Sequence, residues 1–143
     1  MKSLVSKAAA VLSFAALPLI ATPVMAEVVV IVNPAIADSA GKEDIAKLYL
    51  GKTTSLPGGT KVSPVNLESG NAVRDEFNDS ALGKSDSQLK SYWSRLIFTG
   101  KAKPPKDLGS EAEVVEYVKN NSDGLGYVSP ASVTGDVKEL ARF

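Results

Sequence analysis

The sequence predicts an α/β domain, and two observations carry that prediction. Strand-like segments at residues 28–32, 62–67 and 125–128 alternate with stretches whose apolar residues recur at helical spacing. No segment repeats another, so a solenoid or a propeller is set aside. The chain has 143 residues, 44% of them hydrophobic, which suffices for one core and not for two.

Residues 28–32 form a continuous β-branched run, VVVIV, which suits a strand covered on both faces and therefore interior in its sheet. After Asn33-Pro34, the acids Glu43 and Asp44 favour the positive end of a helix in which Ile45, Leu48 and Tyr49 share a face, and Gly51 closes it. Residues 53–60, with Pro57-Gly58-Gly59, read as a turn. In the next strand, residues 62–67, Pro64 predicts an edge or bulge position, because it has no amide to give to a neighbour. Ser69 or Asn71 is suited to cap a helix carrying Val73 and Phe77.

Asp86 opens a longer helix running to about Phe98, with Leu89, Trp93, Leu96 and Ile97 near one face. Trp93 and Tyr127 are accordingly expected in the core, and Trp93→Ala is expected to cost ~3–5 kcal/mol. Ser110 and Glu113 have the spacing of a capping box, with Val114, Val115, Tyr117 and Val118 as the buried side of the helix that follows. Residues 120–124 are a polar stop, residues 125–128 return as a strand, and residues 137–140 read as a short additional one.

Residues 1–26 have the pattern of a cleaved export signal. Lys2 and Lys7 supply the basic start, residues 8–20 an apolar run, and Val24-Met25-Ala26 the small residues at which signal peptidase cuts before Glu27. The run is shorter than the ~20 residues a membrane span requires and is interrupted by Pro18, with Pro23 soon after, so no membrane insertion is expected once it is cleaved. The expected product is a soluble domain of residues 27–143.

Cysteine and histidine are both absent. That removes a lipoprotein anchor, disulfides, thiol nucleophiles, and the side chains best suited to zinc binding or to proton transfer near neutral pH. Lysine plus arginine equals aspartate plus glutamate at 16 each, and loss of Lys2 and Lys7 leaves a slight acidic excess. Such a balance argues against nucleic acid or an anionic membrane as partner. Lys101, Lys103 and Lys106, beside Pro104 and Pro105, are the one local basic excess, read as a solvated loop in preference to the alternative of a phosphate or lipid contact.

Catalytic and metal patterns fail on inspection. Gly51-Lys52-Thr53 and Gly83-Lys84-Ser85 end like a phosphate-binding P-loop, but Ala46 and Asn78 stand where its first glycine belongs. Ser39-x-x-Lys42 and Ser87-x-x-Lys90 lack the companion elements of penicillin-recognising enzymes. Asn121, Asp123 and Gly124 are flanked by Lys119 and Pro130 where a calcium loop needs acids. The expectation is a protein without catalysis, metal or cofactor.

A set of landmarks keeps a distinctive order: LYLGK at 48–52, KVSPV at 61–65, F-x-x-x-x-LGKS at 77–85, the Tyr92-Trp93 pair, FTGKAKPP at 98–105 and GLGYV at 124–128. In these the chain, from about Val28 to Leu140, resembles the second domain of the periplasmic phosphate-binding proteins of ABC transporters. The resemblance implies a single three-layer α/β domain with a mixed central sheet, like one lobe of a type II periplasmic binding protein. It also implies a periplasmic location and phosphate or another small oxyanion as ligand.

The loop after the 62–67 strand is where the family holds its anion, with a G-S-G-T element preceded by an arginine. Here the candidates are Ser69, Gly70, Asn71 and Arg74. Glu68 stands in place of a glycine and Asn71 in place of the threonine, while Val65 or Asn66 falls where the arginine is expected. Aligned instead on Phe77, Asn71-Ala72-Val73 replaces S-G-T. The family's first lobe is missing, so a transport component of the envelope or a second copy is expected to cover the half-cleft. The competing expectation is a non-catalytic envelope interaction module that kept the fold and lost the ligand.

Overall fold

The computed structural model describes residues 27–143 and the isolated Ala15. The export signal predicted at 1–26 lies otherwise outside the described residues. Five strands, β1 (Val29–Val32), β2 (Ser63–Leu67), β3 (Lys106–Leu108), β4 (Gly124–Val128) and β5 (Lys138–Arg142), form one sheet in the order β3-β2-β4-β1-β5. β2 runs parallel to β3 and β4, whereas β1 runs antiparallel to β4 and β5, so the sheet is mixed. Among the described residues four α-helices accompany the sheet: α1 (Lys42–Tyr49), α2 (Ala72–Phe77), α3 (Asp86–Phe98) and α4 (Glu111–Asn120).

The side chains of β4 separate the layers. On one face, a Cβ at Gly126 would come within 2.5 Å of Val114 and one at Gly124 within 2.8 Å of the Val118 backbone, so the two glycines let α4 lie close on the sheet. On the other face Tyr127 stacks on Phe77 of α2 with ring centroids 4.0 Å apart, and Tyr49 of α1 meets both rings edge-on. The buried hydroxyls are satisfied: Tyr49 donates to the Val65 carbonyl at 2.8 Å, and Tyr127 donates to Asn66 while accepting the Leu67 amide. Helices on both faces give the three-layer α/β architecture, and β1 is wholly buried, as its unbroken β-branched run requires.

Most element boundaries follow from local chemistry. Leu50 ends α1 and Gly51 turns the chain with φ +70°. Asn71, not Ser69, caps α2 by accepting the Val73 amide at 2.9 Å, and α2 continues into a π turn (Asn78–Leu82) that Gly83 ends in the left-handed region. Ser85 and Gln88 form a reciprocal capping box at α3. At α4 Ser110 accepts the Glu113 amide, but the Glu113 carboxylate reaches Gly109 rather than Ser110, one residue outside a standard box.

Three expectations change. β2 is not an edge strand; its Ser63 amide points toward β4, so the nitrogen of Pro64 faces the other way, where β3 begins only opposite Val65. Residue 64 therefore sits at a local edge within an interior strand, where no donor is missed. Lys106, read as part of a loop, starts β3. Trp93 is only half-buried: its ring lies on Gly51, where a Cβ would stand 2.9 Å away, while Tyr92 donates to the Leu50 carbonyl at 2.5 Å. Of the apolar residues of α3 only Leu89 is buried, and Ile97 and Phe98 point into solvent. Leu89, Trp93 and Leu96 do share a side, but it leans on the turn after α1 instead of the core.

Candidate functional site

The carboxyl ends of the parallel strands β2, β3 and β4 open onto three loops, at residues 68–71, 109–110 and 129. In α/β sheets this is the end at which ligands bind, because helices start there with unpaired amides. Gly70 has φ +90°, a conformation that lets the chain reverse directly from β2 into Asn71 and α2. Ser69 is thereby placed beside the start of α3, and Arg74, in the first turn of α2, beneath it.

Ser69 and Arg74 converge, and what they converge on is a side chain of the protein. The Ser69 hydroxyl donates to one Asp86 carboxylate oxygen at 2.7 Å, and the Arg74 guanidinium approaches the other through Nε at 3.2 Å and Nη2 at 3.1 Å. The remaining Arg74 nitrogen donates to the Leu67 carbonyl at 2.7 Å and to Asp107 at 3.2 Å. Only 8% of Arg74 is exposed. Asn71 spends its side-chain oxygen on its own helix, and Gly70 contributes backbone geometry alone. The four residues singled out from sequence thus form one neighbourhood, of which Ser69 and Arg74 share a partner.

Charge in this neighbourhood is net negative. Asp86 and Asp107 both face Arg74, and Glu68 stands exposed at the turn. The Ser69 hydrogen bond, helped by the Arg74 guanidinium, holds the Asp86 carboxyl below the ordinary aspartate value. The two other loops are closed in a similar way: Glu113 accepts the Gly109 amide at 2.8 Å and Glu111 the Ser129 amide at 2.5 Å. Burial opposes ionisation of Glu111, but its bonds to Ser129 and Ser132 prevail and lower its pKa.

Asp86 and Asp107 are the residues that sequence reasoning missed. Asp86 was legible only as a helix opener and Asp107 lay in an unrecognised strand; nothing local ties either to Arg74, 12 and 33 residues away. A second concavity lies at the opposite end of the sheet, where a groove of about 480 Å³ is walled by Lys101, Lys103 and Lys106 and floored by Leu48, Val62 and Val65. Among the described residues there is no cluster of three His, Cys, Asp or Glu able to hold a metal ion. None of their helices is long and apolar enough to cross a membrane.

The order of elements and the mixed five-stranded sheet with helices on both faces give an α/β fold that can be compared with known structures. No protein-family model matches the chain, and no curated protein matches it. Solved structures do. An ABC-type phosphate transport receptor from Vibrio cholerae superposes with a TM-score of 0.61 at 20% identity, over 81% of this chain and 46% of that one. A chain from Clostridium perfringens with bound phosphate, described as a phosphate ABC transporter substrate-binding protein, gives 0.64 at 18% identity, over 81% and 45%. PstS from Borrelia burgdorferi gives 0.59 at 16% identity, over 81% and 47%. The chain therefore has the fold of a phosphate-binding-protein lobe and spans less than half the length of the proteins that it matches.

Proposed function

We propose that this chain is a non-catalytic, binding-protein-like module of the cell envelope that holds phosphate or another small oxyanion weakly, and only by displacing its own Asp86 carboxylate. The observation that supports this reading is the pairing of Ser69 and Arg74 on one carboxylate. A hydroxyl and a guanidinium aimed at two oxygens of one group are what a cradle for an oxyanion provides, and here the oxyanion is internal. An incoming phosphate has to expel Asp86 against the additional charge of Asp107 and Glu68, so affinity is low and falls further with salt. Location in the periplasm and association with an ABC transporter belong to the same proposal, as does cover of the open half-site by a transport component or a second copy.

One further reading has an observation in its favour. Arg74 is neutralised twice over, and the neighbouring loops are closed by Glu111 and Glu113. That is the condition of a module that has exchanged its ligand for internal contacts and acts by docking on another envelope protein.

Calorimetric titration with phosphate and with sulfate at low salt separates the two. Asp86→Asn removes the competing charge and is expected to tighten phosphate binding at least about tenfold, the equivalent of ~1.4 kcal/mol, whereas adding Ser69→Ala to it reverses most of the gain. Glu68→Gln shifts affinity in the same direction as Asp86→Asn by a smaller step. No heat of binding at millimolar phosphate in Asp86→Asn, with its circular dichroism unchanged, rejects the oxyanion reading in favour of the docking module.

A further inference from the structure

The balanced total charge conceals a segregation. Residues 87–106 carry five cations, Lys90, Arg95, Lys101, Lys103 and Lys106, and none of the chain's 16 acids. All five are exposed, and among the described residues none of them lies within ion-pair distance of a carboxylate, although Arg74, Lys119 and Arg142 each do. The rest of the described chain, with nine cations against 16 acids, is correspondingly acidic.

The same stretch holds the two large apolar side chains that the described residues expose, Phe98 at 92% and Ile97 at 55%. At 3.6 residues per turn, Leu89, Trp93 and Leu96 face the body of the protein, while Phe98 projects from the opposite side of α3 with Ser87, Ser91 and Ser94. Lys90 and Arg95 flank that strip. Phe98 thus contributes nothing to the core, and no fold requirement of α3 keeps it in water.

We propose that the carboxyl-terminal half of α3 and the loop that follows it, as far as Lys106, are a peripheral docking surface for an anionic lipid bilayer. Phe98 and Ile97 enter the headgroup region, and the four cations of that segment, Arg95, Lys101, Lys103 and Lys106, are drawn to lipid phosphates. Clustered unpaired cations attract an anionic surface, and exposed apolar side chains beside them gain by leaving water once there. The acidic remainder is repelled by the same surface, which fixes the orientation. A polyanion without an apolar layer, such as nucleic acid, would use the cations and leave Phe98 unexplained. Asp86 and Phe98 stand at opposite ends of α3, roughly 18 Å apart at 1.5 Å per residue. Docking through Phe98 therefore leaves the Ser69–Asp86 end free. The proposal does not depend on whether that end holds a ligand.

Co-sedimentation of the protein from Glu27 to Phe143 with lipid vesicles provides the test. Binding is expected with vesicles of equal parts phosphatidylcholine and phosphatidylglycerol at low salt, with loss on adding salt and no binding to phosphatidylcholine alone. Phe98→Ser is expected to weaken binding several-fold, and the pair Lys101→Ala with Lys103→Ala by at least about tenfold, all with unchanged melting because these side chains are exposed. Absence of binding to the anionic vesicles, or equal binding by wild type and Phe98→Ser, overturns the proposal. So does Phe98-dependent self-association in the ultracentrifuge without vesicle binding, which would assign the surface to a second copy of the chain, and so does Phe98-dependent capture by an acidic peptide in place of vesicles.

Discussion

The Ser69 hydroxyl and the Asp86 carboxylate meet at 2.7 Å across 17 residues, which ties the turn after β2 to the first turn of α3. α3 buries only Leu89, so the bonds of Asp86 to Ser69 and Arg74, the Tyr92 bond to Leu50 and the Trp93 ring on Gly51 all contribute to its attachment. One hydrogen bond thereby occupies the Ser69 hydroxyl and also links the turn after β2 to the helix that bears Phe98.

Stability in acid should depend on Asp86. Its folded pKa is lowered, first by the Ser69 hydroxyl, from an unfolded value of about 3.9. A carboxyl of this kind stabilises the fold above the unfolded value and loses that contribution as pH falls through the folded one. The melting temperature of the wild type is expected to drop below about pH 4, and Asp86→Asn should flatten that part of the profile. Parallel profiles for the two proteins in acid would show that the contact adds nothing to stability.

Arg74→Ala is expected to lower unfolding free energy by ~2–4 kcal/mol, because it strips Asp86, Asp107 and the Leu67 carbonyl of one nearly buried partner. Arg74→Lys keeps the charge without the planar fork and should recover less than half of the loss. Urea titration measures both. A wild-type midpoint for Arg74→Ala would mean that the network is energetically silent.

Aromatic truncations should rank by burial. Phe77, at 0% exposure between Tyr49 and Tyr127, is expected to cost ~3–5 kcal/mol on change to Ala. Trp93 lies half-buried on Gly51 and should cost only ~1–2 kcal/mol, less than its sequence context implies. Equal losses in calorimetric melts would return Trp93 to the core.

Gly126→Ala should destabilise by ~1–3 kcal/mol although it adds a single methyl group. That methyl meets Val114 at 2.5 Å and Val65 at 3.3 Å, so α4 has to move off the sheet. Pairing the change with Val114→Ala, which vacates the space, is expected to give less than the sum of the two single losses. Strict additivity in the double variant would place the strain elsewhere.

Local signals in the sequence determined β1, α1, α4 and β4, the burial of Tyr127, and the α/β class. Each rests on chemistry within a turn or two: a β-branched run, a cap and its partner three residues on, an apolar face at helical spacing. Tertiary structure alone decided the rest. β3 is a three-residue KDL segment with no pattern of its own, and it exists because β2 offers an unpaired side from Val65 onward. The half-exposure of Trp93 depends on where α3 leans, and the capture of Ser69 and Arg74 by Asp86 depends on two helix starts and a strand end meeting at one point. Side chains 12 to 33 residues apart carry no mark of one another along the chain. Their coupling energy appears only once the sheet order has brought their elements together.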